Sequence, residues 1–240
     1  MVIRMANIKP LEELTLMDDY MFAQVMRQTK YLKPLLEGIL RIRIAKIDLV
    51  EPQKTEKEGY ASKGARLDLY VTDDKGVIYD CEVQTSDKKN LLRRMRYYQS
   101  IIDVNVLAPG VDYTNLKTSF VIFLCNYDPC KRGRYIYTFE NICREEPDLR
   151  FKDDAYKVIV NTKGTRGELT DEMKEVILYL DKGEITGAYS QSLEDAVNTV
   201  KASEERRVEY MSAPVRCTTD SGRQARPVKP NQQPVSISWV

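Results

Sequence analysis

Two carboxylates and one amide occur at a spacing that would bring them together on one face of a β-hairpin. The stretch RLDLYVTDDKGVIYDCEVQ, residues 66–84, has two alternating strand patterns around the turn DKG at 74–76. A three-residue loop with glycine in the left-handed region sets Asp68 directly opposite Glu82. Gln84 follows Glu82 by two positions and therefore points to the same side. Facing carboxylates repel each other unless a cation lies between them, so the hairpin is a candidate metal site.

The same pattern also has an ordinary structural interpretation. Polar residues alternate along many half-buried strands, where they are simply solvated. Arg66 shares the face and could neutralise one of the two carboxylates. Spacing alone therefore leaves both a metal site and a solvated strand face open.

The amino-acid composition excludes several kinds of catalytic and metal site. The 240 residues contain no histidine, which excludes Ser-His-Asp and Cys-His nucleophile systems and His-ligated zinc. The five cysteines include no CxxC pair, which predicts that the protein is located in a reducing cytoplasm. Cys125 and Cys130 could supply two of the ligands of a zinc site, but buried free thiols are the simpler interpretation. The formal net charge is +1, so nucleic-acid binding would need local basic patches. We expect neither a membrane span nor a signal peptide, because no apolar run is long enough.

Helices and strands are predicted on both sides of the hairpin. Apolar spacing predicts helices at 14–30, 32–40, 87–107 (capped by Ser86 or Asp87), 170–181 and 189–209. Further strands are predicted at 42–52, 118–127, 134–141 and 155–162. The segment TSFVIFLCNY is nearly all apolar, which is typical of a strand buried on both faces. The residues from 212 onward are rich in Pro, Ser, Gln and Arg, and this composition predicts disorder.

The hairpin and its surroundings resemble a group of nucleases. An acidic residue on one strand, Glu-x-(Lys or Gln) on the next and a following helix resemble the PD-(D/E)XK nuclease superfamily. Seven segments are similar, in order, to the recombination-promoting nuclease / putative transposase family: LTLMDDYMFAQVM, SKGARLDLYV, GVIYDCEVQ, RRMRYYQSIID, YTNLKTSFVIFLCNYDP, YIYTFEN and YKVIVNTKGT. The similarity covers about residues 11–211.

This resemblance implies a fold and an activity. The implied fold is α/β (α+β): a restriction-endonuclease-like core with a central mixed β-sheet flanked by helices, and a C-terminal helical appendage. We expect a nuclease-like domain at 1–165 that includes the N-terminal helices, a helical extension at 166–211 and the tail at 212–240. The implied activity is Mg²⁺-dependent cleavage of DNA phosphodiesters, with Mn²⁺ as the alternative ion. DNA is the implied partner, and both a monomer and a homodimer stay open.

The resemblance also assigns roles to residues. Asp68 and Glu82 match the family's metal-binding pair, and the Val83 carbonyl would be a further ligand. Asp18 or Asp19, in the first predicted helix, matches an acidic position that completes the metal site.

Gln84 departs from the wider superfamily, which usually has lysine at this position. An amide cannot accept a proton as an amine can, so a general-base role does not transfer to Gln84. Gln84 would instead orient the attacking water. The departure keeps an alternative open, namely a catalytically impaired DNA-binding or assembly module that retains the nuclease fold.

Basic residues near the hairpin are candidates for binding DNA phosphates. Lys89, Arg93 and Arg96 follow one another at i, i+4 and i+7 and would form one stripe on the long helix; a solvated surface is the alternative. Tyr98 and Gln99 match the family's helix motif, which implies that they support or line the site. The sequence KRGR at 131–134 is a weaker candidate, for which an exposed turn is the simpler interpretation.

Overall fold

The computed structural model describes residues 9–52, 55–56 and 65–212, which form a mixed β-sheet with helices on both faces. The strands are β1 (Ile47–Pro52), β2 (Thr55–Glu56), β3 (Ala65–Arg66), β4 (Leu69–Asp73), β5 (Ile78–Gln84), β6 (Ser119–Cys125), β7 (Ile136–Phe139) and β8 (Ala155–Asn161). The helices are α1 (Asp19–Met26), α2 (Thr29–Leu40), α3 (Leu91–Val106), α4 (Asp171–Lys182), α5 (Ala188–Ala202) and α6 (Glu204–Ser212). The tail predicted to be disordered lies, from residue 213 onward, outside the described residues.

Six of these strands form one sheet in the order β1-β4-β5-β6-β8-β7. Its centre is parallel, because β5, β6 and β8 run in the same direction, whereas β1, β4 and β7 pair antiparallel with their neighbours. The short strands β2 and β3 pair separately. The predicted fold class is confirmed: a mixed sheet flanked by helices, with a C-terminal helical region.

The β4–β5 hairpin has the register predicted from its turn. Leu69 pairs with Cys81, as the three-residue loop requires. The Asp73 carboxylate accepts hydrogen bonds from two amides of the turn and from the hydroxyl of Tyr79. Gly76 has a φ of 76°, in the left-handed region that favours glycine. Local sequence thus specifies the register that sets residue 68 beside residue 82.

The sheet separates two apolar clusters. Helices α1, α2, α4 and α5 pack on one face, and α3 packs on the other. Between them, residues 121–125 of β6 are all fully buried, which confirms the prediction of a strand covered on both faces. Because α4 and α5 share one cluster with α1 and α2, the C-terminal helices complete the core. The domain boundary near residue 165 stays a prediction.

Several predicted element bounds were wrong, because local hydrogen bonds compete with regular structure. The helix predicted at 14–30 begins only at Asp19, since the Asp18 side chain accepts the Thr15 amide. The helix predicted at 87–107 begins at Leu91, because the Asp87 side chain accepts the Lys89 amide and holds a loop. The strand predicted at 42–52 begins at 47, and the helix predicted at 189–209 is divided into α5 and α6.

The cysteines of the described residues are unpaired. The four cysteines among the described residues are free thiols, and Cys81 and Cys125 are buried. Burial raises the pKa of the Cys125 thiol to about 12, so this group is inert at neutral pH. No helix in the described part of the chain is both long enough and apolar enough to span a membrane.

Candidate metal centre

The two carboxylates predicted from the hairpin lie side by side. The amide of Asp68 donates to Glu82 Oε1 at 2.8 Å, and the amide of Val83 donates to Asp68 Oδ2 at 3.3 Å. Glu82 is only 2% exposed, whereas Asp68 is half-buried. These reciprocal bonds hold the two acidic side chains in one place, with the Asp68 side open enough for access from solvent.

Arg94 of α3 is the cation that contacts Glu82. Its Nη2 lies 3.2 Å from Glu82 Oε2 and donates to the Tyr98 hydroxyl at 3.0 Å, while its Nη1 donates to Gln84 Oε1. The guanidinium carbon lies 5.2 Å from the ring centroid of Tyr98 and 5.1 Å from that of Phe123. Arg94 is therefore fixed by hydrogen bonds and by two aromatic rings, and it ties α3 to the end of β5.

Asp80 is a third carboxylate in the same region. It lies on β5, two residues before Glu82, and pairs with Tyr70 and Val121 on the neighbouring strands. It is fully buried, and neither of its oxygens has a hydrogen-bond partner among the described residues. Burial and the charge of Asp68 raise the pKa of Asp80 well above its ordinary value, while Arg94 opposes the shift. A buried, ionised carboxylate without hydrogen bonds destabilises the folded chain unless a cation lies next to it.

The electrostatics around Glu82 also favour a cation. Burial raises the pKa of Glu82 well above its ordinary value, and the charges of Asp68 and Asp80 raise it further. The Asp68 amide and the Arg94 guanidinium oppose this shift without reversing it. A divalent cation in contact with the carboxylates would favour their ionised forms, since an opposite charge nearby lowers a carboxyl pKa.

The donor set fits a hard divalent cation. Mg²⁺ prefers oxygen ligands, keeps several waters and is usually held by one or two carboxylates together with substrate phosphates. Asp68 and Glu82 supply two adjacent carboxylates. Within the described ranges, no three acidic or cysteine side chains are grouped so that they could hold an ion. This arrangement fits the small ligand set of Mg²⁺ better than a zinc site or a calcium cage.

Asp18 and Asp19 lie where α1 begins, and α1 packs on the face of the sheet opposite to α3. Asp18 accepts hydrogen bonds from the amide and hydroxyl of Thr15 and forms an ion pair with Lys9. It lines a cavity together with Thr85, the residue directly after β5. Asp19 is exposed. Of the two, Asp18 is the residue that lines this cavity, and completion of the metal centre by either residue stays a prediction.

Tyr98 and Gln99 attach α3 to the sheet at two points. Tyr98 is buried and accepts the hydrogen bond from Arg94. The Gln99 amide donates to Ser119 Oγ at 2.6 Å, at the first residue of β6. Tyr98 therefore contacts Arg94 beside the candidate centre, and Gln99 links α3 to the start of β6; their support of the site stays a prediction.

The predicted basic stripe is only partly helical. Lys89 lies in the loop before α3, with a φ of 57°, and its ammonium forms an ion pair with Asp87. Its placement on the helix was wrong, because the helix begins two residues later. Arg93 and Arg96 are exposed on α3, as predicted.

The KRGR turn at 131–134 lies close to this loop. The side-chain hydrogen bond from Lys89 lowers the pKa of Asp87, and the charge of Lys131 adds to the effect. The Asp128 carboxylate and the Tyr137 hydroxyl accept hydrogen bonds from backbone amides of the turn. The turn is therefore held in one conformation, with its lysine and arginines exposed.

Arg94 and Asp80 are the two site residues that sequence reasoning missed. The two-residue period of β5 carried a signal for Asp80, since it places Asp80, Glu82 and Gln84 on one face. The signal for Arg94 was its position four residues before Tyr98, on the flank of the helix that faces the sheet. Arg93 and Arg96 fitted the predicted basic stripe, so Arg94 between them was overlooked.

Comparison with known protein families identifies the family of the chain. The chain matches the family model described as PD-(D/E)XK nuclease family transposase over residues 17–183, which include the hairpin, α3 and all of α4. Curated proteins and solved structures give no significant match. The mixed sheet, with its acidic hairpin followed by a helix, is a restriction-endonuclease-like α/β fold. The chain therefore belongs to the PD-(D/E)XK nuclease family transposases.

Proposed function

We propose that the protein is a Mg²⁺-dependent DNA endonuclease that hydrolyses phosphodiester bonds in transposition or recombination. The contact between Asp68 and Glu82, in a chain of this nuclease family, is the observation that carries the proposal. Mn²⁺ is the alternative ion. The proposal includes a cytoplasmic location, in line with the free thiols, and leaves the choice between monomer and homodimer to experiment.

The metal would be held by Asp68 and Glu82, with the Val83 carbonyl as a further ligand. Completion of the site by Asp18 or Asp19 stays a prediction from the sequence, because no three acidic side chains of the described residues are grouped to hold an ion. A bound divalent cation lowers the pKa of a water and polarises a phosphoryl oxygen. The protein's part would be to hold the two acidic side chains near each other through the Asp68 and Val83 amides, and to exclude water on the Glu82 side, where exposure is 2%.

Gln84 and Arg94 would act together on the substrate side. The Gln84 amide nitrogen donates to the Ser86 carbonyl at 2.6 Å, and its oxygen accepts from Arg94, so its orientation is fixed. The amide oxygen keeps a second lone pair, which can accept a hydrogen bond from the attacking water. Arg94 supplies a permanent positive charge in the region where the wider superfamily usually has lysine, and this charge would stabilise the negative charge that develops on the phosphate.

A second candidate is a DNA-binding or assembly module that has lost turnover. The observation that favours it is the pairing of Arg94 with both Glu82 and Gln84, because this cation already compensates part of the acidic charge. The intact Asp68–Glu82 contact favours the enzyme, since a binding module has no need for adjoining carboxylates near phosphates.

Plasmid nicking by the purified protein separates the two candidates. The enzyme should convert supercoiled DNA to nicked or linear forms with Mg²⁺ or Mn²⁺ and should stop when EDTA is added. An Asp68→Ala variant purified in parallel controls for contaminating nucleases. DNA binding without cleavage under either ion would favour the non-catalytic module.

Gln84→Ala is expected to lower the single-turnover cleavage rate by about 10–100-fold, the usual loss when a group that orients a ligand or water is removed. Gln84→Lys should be less active still, because its ammonium would face the Arg94 guanidinium. A double variant, Gln84→Lys/Arg94→Gln, moves the cation onto the strand and should recover part of the rate lost in Gln84→Lys. A Gln84→Ala rate as low as that of Asp68→Ala would contradict a mere positioning role.

The exposed cations near the centre are expected to bind DNA phosphates. Two triple alanine variants test this: one at Lys89, Arg93 and Arg96, the other at Lys131, Arg132 and Arg134. Each should weaken DNA binding and reduce the slope of log K against log salt by about 0.9 for each phosphate that the protein no longer neutralises. Stability should change by less than about 0.5 kcal/mol, since all six side chains are exposed.

The matched control is alanine at the exposed Lys30, Arg43 and Lys174, which belong to the α2 and α4 side of the sheet. Fluorescence anisotropy with a labelled duplex, in EDTA and at several salt concentrations, measures all three sets. A set whose salt slope equals that of the control is ordinary solvated surface.

A further inference from the structure

We infer that Asp80 is a third acidic residue of the metal centre and that it binds the cation through water. The inference rests on the proposed metal-dependent function and extends it to a residue outside the family's acidic pair. It assigns Asp80 a positioning role.

The burial of Asp80 without partners is the observation that carries the inference. Its exposure is 0%, and both carboxylate oxygens lack hydrogen bonds to any described residue. Buried polar side chains nearly always have at least one partner, so a carboxylate with two unsatisfied oxygens needs an explanation. A group that the protein binds from solution is such an explanation.

The surroundings of Asp80 offer no structural reason for a charge. Its neighbours along and across the sheet include Ile78 and Val121, both buried in the apolar cluster under α3. The nearby cation, Arg94, is committed to Glu82, Gln84 and Tyr98. An apolar side chain would fit this position at a lower cost, so the carboxylate is best explained by what the centre binds.

Binding through water follows from the arrangement of the acids. No group of three acidic side chains in the described part of the chain is placed to hold one ion directly. Mg²⁺ retains several of its waters in protein sites, and these waters are hydrogen-bond donors. An ionised carboxylate is acceptor-only, so Asp80 can take the hydrogen bonds that the protein itself does not supply.

Metal binding without DNA tests the inference independently of cleavage. Isothermal titration of the full chain with Mn²⁺ should show about 10–100-fold weaker binding for Asp80→Asn than for the parent protein, as is usual when a group that supports metal ligands is lost. Asp80→Leu should show the same loss. Asp68→Asn should bind more weakly still, while the exposed Asp171→Asn should bind like the parent.

Thermal unfolding in EDTA shows whether the variants fold. Asp80→Leu and Asp80→Asn should melt at or above the parent temperature, because removal of a buried like charge relieves repulsion with Asp68. If the parent binds Mn²⁺, Asp68→Asn loses it and both Asp80 variants keep the parent affinity within twofold, the inference is overturned while the proposed function stands. If the parent itself binds no Mn²⁺, the proposed function fails as well.

Discussion

Asp68→Ala is expected to reduce metal-dependent cleavage by roughly 10³-fold or more. A metal contributes several kcal/mol of transition-state stabilisation, and each 1.4 kcal/mol is about a tenfold change in rate. The substitution leaves the residue-68 amide in place, so the hydrogen bond that orients Glu82 Oε1 can persist. The loss would therefore report the missing carboxylate and not a displaced neighbour. Single-turnover rates on a plasmid substrate at several Mg²⁺ concentrations measure it.

The control for Asp68→Ala is its stability without metal. Urea unfolding in EDTA should show little change, since relief of carboxylate repulsion offsets the lost interactions of Asp68, among them the hydrogen bond from the Val83 amide. Glu82→Gln should lose cleavage to a similar extent. An Asp68→Ala protein that is as active as the parent would place the activity elsewhere in the chain or in a contaminant.

Arg94→Ala is expected to destabilise the protein by about 3 kcal/mol. Its side chain is 24% exposed and pairs with a Glu82 side chain that is 2% exposed, so its removal leaves a buried charge without its partner. The neighbouring Arg93→Ala, which removes an exposed arginine one position earlier, should change stability by less than about 0.5 kcal/mol. Urea unfolding at neutral pH in EDTA compares the two variants.

Divalent cations should partly rescue the Arg94→Ala protein. A cation at Asp68 and Glu82 replaces the missing positive charge and binds only the folded chain, which raises the free energy of unfolding. The double variant Glu82→Gln/Arg94→Ala should be more stable in EDTA than Arg94→Ala alone and should not respond to Mn²⁺. Equal stability of Arg94→Ala and Arg93→Ala would show that Glu82 does not depend on this ion pair.

Local patterns in the sequence determined the sheet and the hairpin. The DKG turn, with Gly76 in the left-handed region and Asp73 as a local acceptor, specified the pairing of β4 with β5. The apolar run of β6 specified a strand covered on both faces. Both features leave a pattern in consecutive residues, so periodicity and turn chemistry were sufficient to predict them.

Helix ends were decided by side chains that bond their own backbone. Asp18 and Asp87 each accept a hydrogen bond from a backbone amide within a few residues. Because of these bonds, α1 and α3 begin later in the chain than predicted. Apolar spacing carries no information about such bonds, so the sequence pattern extended both helices too far. The displacement of Lys89 from the helix followed from the second of them.

The contact between Asp68 and Glu82 could be predicted from the sequence, because both residues belong to one hairpin whose register is set by the turn. The positions of Arg94 and Asp80 were decided by tertiary structure. Arg94 reaches Glu82 only because α3 packs on this face of the sheet, against β6, and its role depends on which flank of the helix meets the sheet. Asp80 has no hydrogen-bond partner among the described residues, and it is buried because the neighbouring strands and the apolar cluster under α3 enclose it. Burial is a property of the assembled layers, and burial is what turns a strand aspartate and a helix arginine into parts of a candidate metal centre.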